Sequence, residues 1–157
     1  MKIVKTILIG TGATIAIDCF TFMVSLFGKT PRDILFVGRW LACMPKGKFL
    51  HHTIIETPSI ANELIVGRIA HYCIGITFAF LLIIIMYGEK WLLKPTLCPA
   101  LIVAIITLIT PIFILQPALG FGIGFFNMPQ QVQLISKTIL IHAIYGFGLY
   151  LSAILLI

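Results

Sequence analysis

Four long apolar stretches, at about residues 6–27, 64–87, 97–115 and 134–157, constrain this chain more than any other feature. At a rise of about 1.5 Å per residue, each is long enough to cross a hydrocarbon core of roughly 30 Å. Lipid offers the backbone no water, so each peptide group must be satisfied within its own segment, and a helix does this. The expected fold is therefore all-α: an integral membrane bundle of four transmembrane helices forming a single transmembrane domain over residues 1–157. Composition agrees. Hydrophobic residues make up 60% of the chain and charged residues 10%, whereas a soluble domain carries about a quarter charged residues. Lys2 and Lys5 before an apolar run resemble a secretory signal, but the run continues past Asp18 to Val24 without a small-residue cleavage site. A retained helix is expected.

The net charge of +6 does not point to nucleic acid. The bases flank the apolar stretches, as Lys2, Lys5, Lys29, Lys90 and Lys94 do, and form no patch interleaved with aromatics. That is the placement of residues at membrane boundaries. With the side holding residue 1 called A, four crossings place Lys2, Lys5, Lys90 and Lys94 on A. Lys29, Arg32, Arg39, Lys46 and Lys48 fall on the opposite side, B. The balance is nearly even, and the denser bases on A make it the cytoplasmic side in this reading. The four cysteines, Cys19, Cys43, Cys73 and Cys98, form no CxxC pair and read as apolar filler.

The long B-side connection, residues 28–63, is not featureless. Its part from Ile34 to Met44 is apolar enough for an interfacial helix anchored by Trp40. Adjacent His51 and His52 have no cysteine or carboxylate at ligand spacing, so solvated side chains are expected and no metal site. The second B-side loop, residues 116–124, is glycine-rich and suited to dip into the membrane edge. Its GxGxG follows no strand, so it does not read as a nucleotide loop. In the third stretch Pro99 falls in the first turn, and Pro111 near the far end is expected to kink the helix.

Ionisable groups inside spans are costly, about 2.5–3.5 kcal/mol each on insertion scales, and mark function by default. This chain has Asp18, Arg68, His71 and His142, all in the B half of their spans by helical rise. Gly10, Thr14, Asp18, Thr21 and Ser25 form one small, polar stripe, and Ala100, Ala104, Thr107 and Pro111 another. Inward packing of these faces would gather the charges, with Asp18 and Arg68 as an ion pair and Glu63 capping the cluster from side B. The candidate binding residues are Asp18, Arg39, Glu63, Arg68, His71 and His142. No nucleophile–base pairing is visible, so no catalytic residue is assigned. Spans two and four also echo each other: Pro58, His71 and Gly75 recur as Pro129, His142 and Gly146 at one constant offset, a pattern that either chance or a duplicated helix pair would give.

Several of these segments carry a resemblance. Asp18, the Val37-Gly38-Arg39-Trp40 segment, the Pro45-Lys46-Gly47-Lys48-Phe49 segment, Glu63 and the His71-Tyr72-Cys73-Ile74-Gly75 segment contribute to it. So do Trp91, Pro95-Thr96-Leu97, Gln116-Pro117-Ala118-Leu119-Gly120 and His142 with Gly146-Phe147-Gly148-Leu149-Tyr150. Together they resemble a family of uncharacterised bacterial integral membrane proteins, domain of unknown function 2938, over nearly the whole chain. The resemblance implies a multi-pass protein of the bacterial inner membrane with about four helices, and no activity. Lys137 and Phe125-Phe126 depart from the family's pattern.

Three functions lead at this level, ahead of a membrane enzyme acting on lipid or quinone, for which no catalytic pairing is visible. A small-solute transporter or channel, of the size and helix count of the small multidrug exporters and acting as a homo-oligomer, would use Asp18 near two histidines to exchange protons for a polar or cationic solute. A redox protein would hold haem at His71 and His142, each followed one turn on by a glycine. A non-catalytic subunit would dock other membrane subunits through the aromatic, basic B-side loop.

Overall fold

The four apolar stretches are helices. The structure, a computed structural model, describes residues 2–27 and 33–156, apart from the side chains at 85, 86 and 89. Lys29 and Arg32, counted above among the B-side bases, lie outside the described residues, as do residues 1 and 157. The elements in chain order are α1 (Lys2–Ser25), α2 (Asp33–Cys43), α3 (Glu63–Phe80), α4 (Gly88–Leu93), α5 (Leu97–Thr107), α6 (Gln116–Ala118) and α7 (Gln131–Leu155). No strand occurs among the described residues. Four helical runs, Lys2–Ser25, Glu63–Ile84, Leu97–Ala118 and Gln131–Leu155, are long and apolar enough to cross a membrane, which is consistent with a multi-pass membrane protein. They begin up to four residues earlier than the hydropathy places them. Backbone hydrogen bonding continues through lysine and glutamine, which are good helix formers.

Two of these runs change helix type. α3 widens into a π-helical turn at Leu81–Met86 and closes with Tyr87 N–H donating to the Leu82 carbonyl (3.0 Å). Gly88, at φ 64°, then ends it. α5 leads to a second π turn, Pro111–Leu115, which passes directly into α6. Pro111 has no N–H to give the carbonyl four residues back, and the chain resumes with Gln116 N–H donating to the Pro111 carbonyl, five residues apart. The interruption expected at Pro111 is thus a change of hydrogen-bond register.

The molecule divides into two units. The first contains residues 1–30, 72–107 and 139–157, and the second residues 31–71 and 108–138. Within the first, small residues bring backbones together. A Cβ on Gly10 would come within 2.7 Å of Ile76 Cα, one on Gly148 within 2.9 Å of Ala13 Cα, and one on Gly146 within 2.9 Å of Ala104 Cβ. One on Gly75 would strike the Thr14 hydroxyl. This is how helices associate where burial from water supplies no drive between them. Around these contacts Ile9, Leu82, Val103 and Leu149 are fully buried. The stripes read from α1 and α5 are buried at Gly10, Thr14, Ala100, Ala104 and Thr107.

In the second unit α2, the helix expected near Ile34–Met44, lies against the start of α3. A Cβ on Gly38 would overlap the Glu63 carbonyl oxygen, and one on Gly67 the Ile34 carbonyl oxygen. The irregular segment 47–62 is held to residues 116–121 by backbone bonds: His51 N–H to the Ala118 carbonyl (3.0 Å) and Ile54 N–H to the Leu119 carbonyl (2.9 Å). Gly120, at φ 85°, lets that turn pass the His52 carbonyl, where a Cβ would not fit. Ile54, Leu119 and Phe121 form a small core, with Phe121 edge-on to Phe36 (centroids 6.1 Å apart) and stacked on Phe125 (6.0 Å). The glycine-rich loop is therefore a packed partner of the long connection.

Candidate functional site

The second unit is organised around one arginine. Arg39, on the inner face of α2, makes a two-pronged contact with Glu63 at the start of α3: Nε to Oε2 at 2.8 Å and Nη2 to Oε1 at 2.8 Å. Its Nη1 donates to the carbonyls of Thr57 (2.7 Å) and Ile54 (3.2 Å), and its guanidinium carbon lies 5.8 Å from the centre of the Phe36 ring. The Glu63 Oε2 also accepts the Ile60 N–H (3.0 Å), a reach back across the first turn like the carboxylate of a capping box. Both side chains are 11% exposed. The forked geometry, with four hydrogen bonds from the guanidinium, is of the kind a buried charge pair requires. The hydrogen bond to the carboxylate holds the guanidinium above its ordinary pKa, against the opposing effect of burial. Arg39 and Glu63 are thus brought together, and Glu63 is committed to Arg39. It closes α2 and the long connection onto α3.

His51 overturns an expectation. It is buried, at 6% exposed, although a loop histidine beside His52 reads as solvated. Its main chain is tied to Ala118, which carries the ring inward, while His52 is exposed. The Thr57 hydroxyl donates to the Thr53 carbonyl (3.3 Å), so it accepts from His51 Nδ1–H at 3.0 Å. His51 Nε2 is left as an acceptor, buried and without a hydrogen-bond partner among the described residues, as is Gln116 Oε1. Burial, with a smaller contribution from Lys48, pushes the His51 pKa down. No sequence periodicity marks either residue.

The first unit holds two of the polar groups read from the spans. The Asp18 carboxylate accepts the Tyr72 hydroxyl at 2.8 Å, joining α1 to α3. Tyr72 was missed by the sequence reading, although a tyrosine inside a span needs a partner for its hydroxyl. His142, on α7, turns toward α5: Nδ1 lies 3.1 Å from the Ala104 carbonyl oxygen and 3.2 Å from Thr107 Oγ1. A carbonyl only accepts, so Nδ1 carries the proton and Nε2 is an acceptor. Thr107 donates to the same carbonyl at 2.8 Å. Tyr145, 3% exposed, donates to the Gly75 carbonyl at 2.5 Å. The echoed glycines Gly75 and Gly146 both sit at close helix contacts, against α1 and α5 respectively.

Arg68 and His71 belong to the second unit, on the α3 segment that precedes Tyr72. Arg68 is exposed and His71 half-buried. Among the described residues no group of three or more histidine, cysteine, aspartate or glutamate side chains is arranged to hold a metal ion.

A family model described as "Protein of unknown function (DUF2938)" matches residues 7–156. No curated protein and no solved structure matches the chain.

Proposed function

The chain belongs to the DUF2938 family, and from that premise we propose that it is a multi-pass protein of a bacterial inner membrane that moves a small polar or cationic solute in exchange for protons. The observation that carries this reading is the Asp18 carboxylate, placed within a helix able to cross a membrane and hydrogen-bonded by Tyr72 at 2.8 Å. A carboxylate at such a depth is costly. A phenol that donates to its charged form lowers that cost, and the loss of charge assistance when the carboxylate is neutralised weakens the bond, which couples protonation to the α1–α3 contact. Four helices offer limited room for a pathway, so assembly as a homo-oligomer, or with other membrane subunits, is part of the proposal.

The test uses protein reconstituted in liposomes under an imposed pH gradient, with ethidium as a lipophilic cation and potassium as a small one. Gradient-dependent flux that disappears in Asp18→Asn and shifts its pH dependence in Tyr72→Phe is the expected result. Flux indifferent to pH and unchanged in Asp18→Asn overturns the mechanism.

One observation favours a second reading. His142 has its Nδ1 proton fixed by a backbone carbonyl, the arrangement that orients an imidazole to ligate through Nε2. Haem bound there would give the purified protein a Soret band that His142→Ala removes; a spectrum empty above the protein absorption rejects it.

A further inference from the structure

We propose that the turn at residues 44–50 is a binding surface for anionic phospholipid headgroups, with Phe49 and Leu50 set into the interface and Lys46 and Lys48 on the phosphates. The inference rests on the membrane reading above and adds a ligand class and a surface to it.

The first observation is that the turn is built to hold one shape. α2 ends at Cys43, and Met44–Lys46 follow as a single 3₁₀ turn with Pro45 near its start. Gly47 takes the left-handed conformation at φ 74°, and its N–H donates to the Met44 carbonyl at 2.9 Å. Lys48 N–H reaches back to the Cys43 carbonyl at 3.3 Å. These paired bonds with a left-handed glycine are the usual closure of a helix C-terminus. Beyond them the Trp40 indole N–H donates to the Phe49 carbonyl at 2.8 Å, tying the tip to α2. The whole turn lies in one unit.

The second observation is what this fixed shape presents. Every residue from Pro45 to Leu50 is exposed, Phe49 at 56% and Leu50 at 73%. A phenyl ring and a leucyl side chain stand beside two ammonium groups, and no carboxylate occurs in the sequence from Trp40 to Ile55 to neutralise them. Each half of the pattern alone is ordinary. Together, on a pinned turn that links an apolar helix to a span, they match the layered chemistry of a bilayer surface: anionic phosphates outside, glycerol and acyl chains beneath. The charge also selects among occupants. Two copies meeting through this turn would oppose lysine to lysine, which disfavours a self-contact.

Quenching by brominated lipid tests this. Phe49→Trp adds a reporter at the tip, and the difference in quenching from the unmodified chain isolates it. Phe22→Trp, at a position 65% exposed on α1, reports insertion of a span. Both are reconstituted in vesicles of acyl-brominated phosphatidylcholine, with and without about a third of brominated phosphatidylglycerol. Each lysine near an anionic surface strengthens contact roughly fivefold. The tip signal should therefore rise with phosphatidylglycerol, fall in high salt, and lose its lipid preference in Lys46→Gln/Lys48→Gln. Equal quenching in both lipids overturns headgroup recognition. No quenching at position 49 with strong quenching at 22 overturns the surface while leaving the membrane reading intact, and points to water or a protein partner there. No quenching at either position overturns both. If Phe49→Trp fails to fold, Leu50→Trp carries the same measurement.

Discussion

At the scale of single residues, the structure separates groups that hold the fold from groups with chemistry to spare. Arg39 belongs to the first kind: its fork to Glu63 and its bonds to Thr57 and Ile54 leave it no role that a ligand could share without loss. Arg39→Gln strands the Glu63 carboxylate in a buried place and should cost about 3–5 kcal/mol. Arg39→Gln/Glu63→Gln should cost less than the sum of the single losses, because neither charge remains. Unfolding in mixed dodecyl maltoside and SDS micelles, followed by tryptophan fluorescence, measures both; strictly additive losses would mean that the pair is not coupled. His51 is a different case. Burial depresses its pKa below the ordinary value of 6.5, so below that pH the unfolded chain binds a proton that the folded chain resists. Stability contributed by neutral His51 is therefore complete above about pH 6.5 and falls as the pH drops toward the depressed value. His51→Asn keeps a donor for Thr57 and cannot titrate in this range. The same unfolding series from pH 7.5 to 5 should show a downward trend in the parent that is shallower in His51→Asn. Parallel curves would show that His51 does not titrate on unfolding.

At the scale of elements, glycine decides how closely helices meet, and two glycines that look alike in the sequence do opposite things. Gly38 faces the first turn of α3, where an added Cβ meets the Glu63 carbonyl oxygen, a backbone atom that cannot yield without moving the helix. Gly38→Ala should lose about 1–3 kcal/mol, despite the better helix propensity of alanine. Gly47 has nothing within 4 Å of an added Cβ, and its constraint is its φ of 74° alone. Gly47→Ala should cost about 1–2 kcal/mol through backbone strain and leave the packing of α2 unchanged. Unfolding midpoints separate the sizes, and cysteine accessibility at buried Cys43 separates the causes: exposure should rise in Gly38→Ala only. The sequence shows why one level is readable and the next is not. Hydropathy located all four long helices, the Ile34–Met44 composition located α2, and Pro111 located the change of register in the third run, because each depends on a pattern along the chain. The stitching of 51–54 to 118–121, the burial of His51 and the choice of Arg39 by Glu63 depend on irregular backbone. There the direction of a side chain has no period to betray it. Tyr72 lay between these cases: its need for an acceptor was legible, while the acceptor, Asp18, lay on another helix.

At the scale of the whole molecule, the question with a physical handle is which way the chain is inserted. In the multi-pass arrangement proposed above, four crossings place the start of α1 and the end of α7 on one side, so every base on that side acts together on orientation. Lys2 and Lys5 occupy the first two turns of α1, while Lys90 lies within the short α4 and Lys94 directly follows it. Against them stand Arg39, Lys46 and Lys48, together with Lys29 and Arg32. Lys137, within α7 and joined to Asp33, adds weight to the second set. Pairing does not discount Arg39 or Lys137, because orientation follows lysine and arginine rather than net charge. Counts this close leave the decision to the first helix, which usually dominates and carries its two lysines at its very start. The parent chain should therefore insert with both ends in the cytoplasm. Lys2→Gln/Lys5→Gln should produce a mixed population, whereas Lys46→Gln/Lys48→Gln should leave the orientation single. Fusions after residue 157, one to a fluorescent reporter that matures only in the cytoplasm and one to a phosphatase active only after export, read the two populations in a bacterial inner membrane. A double variant at 2 and 5 that keeps the parent's single orientation would show that the loop and α4 bases hold it, and would remove the first helix from that role.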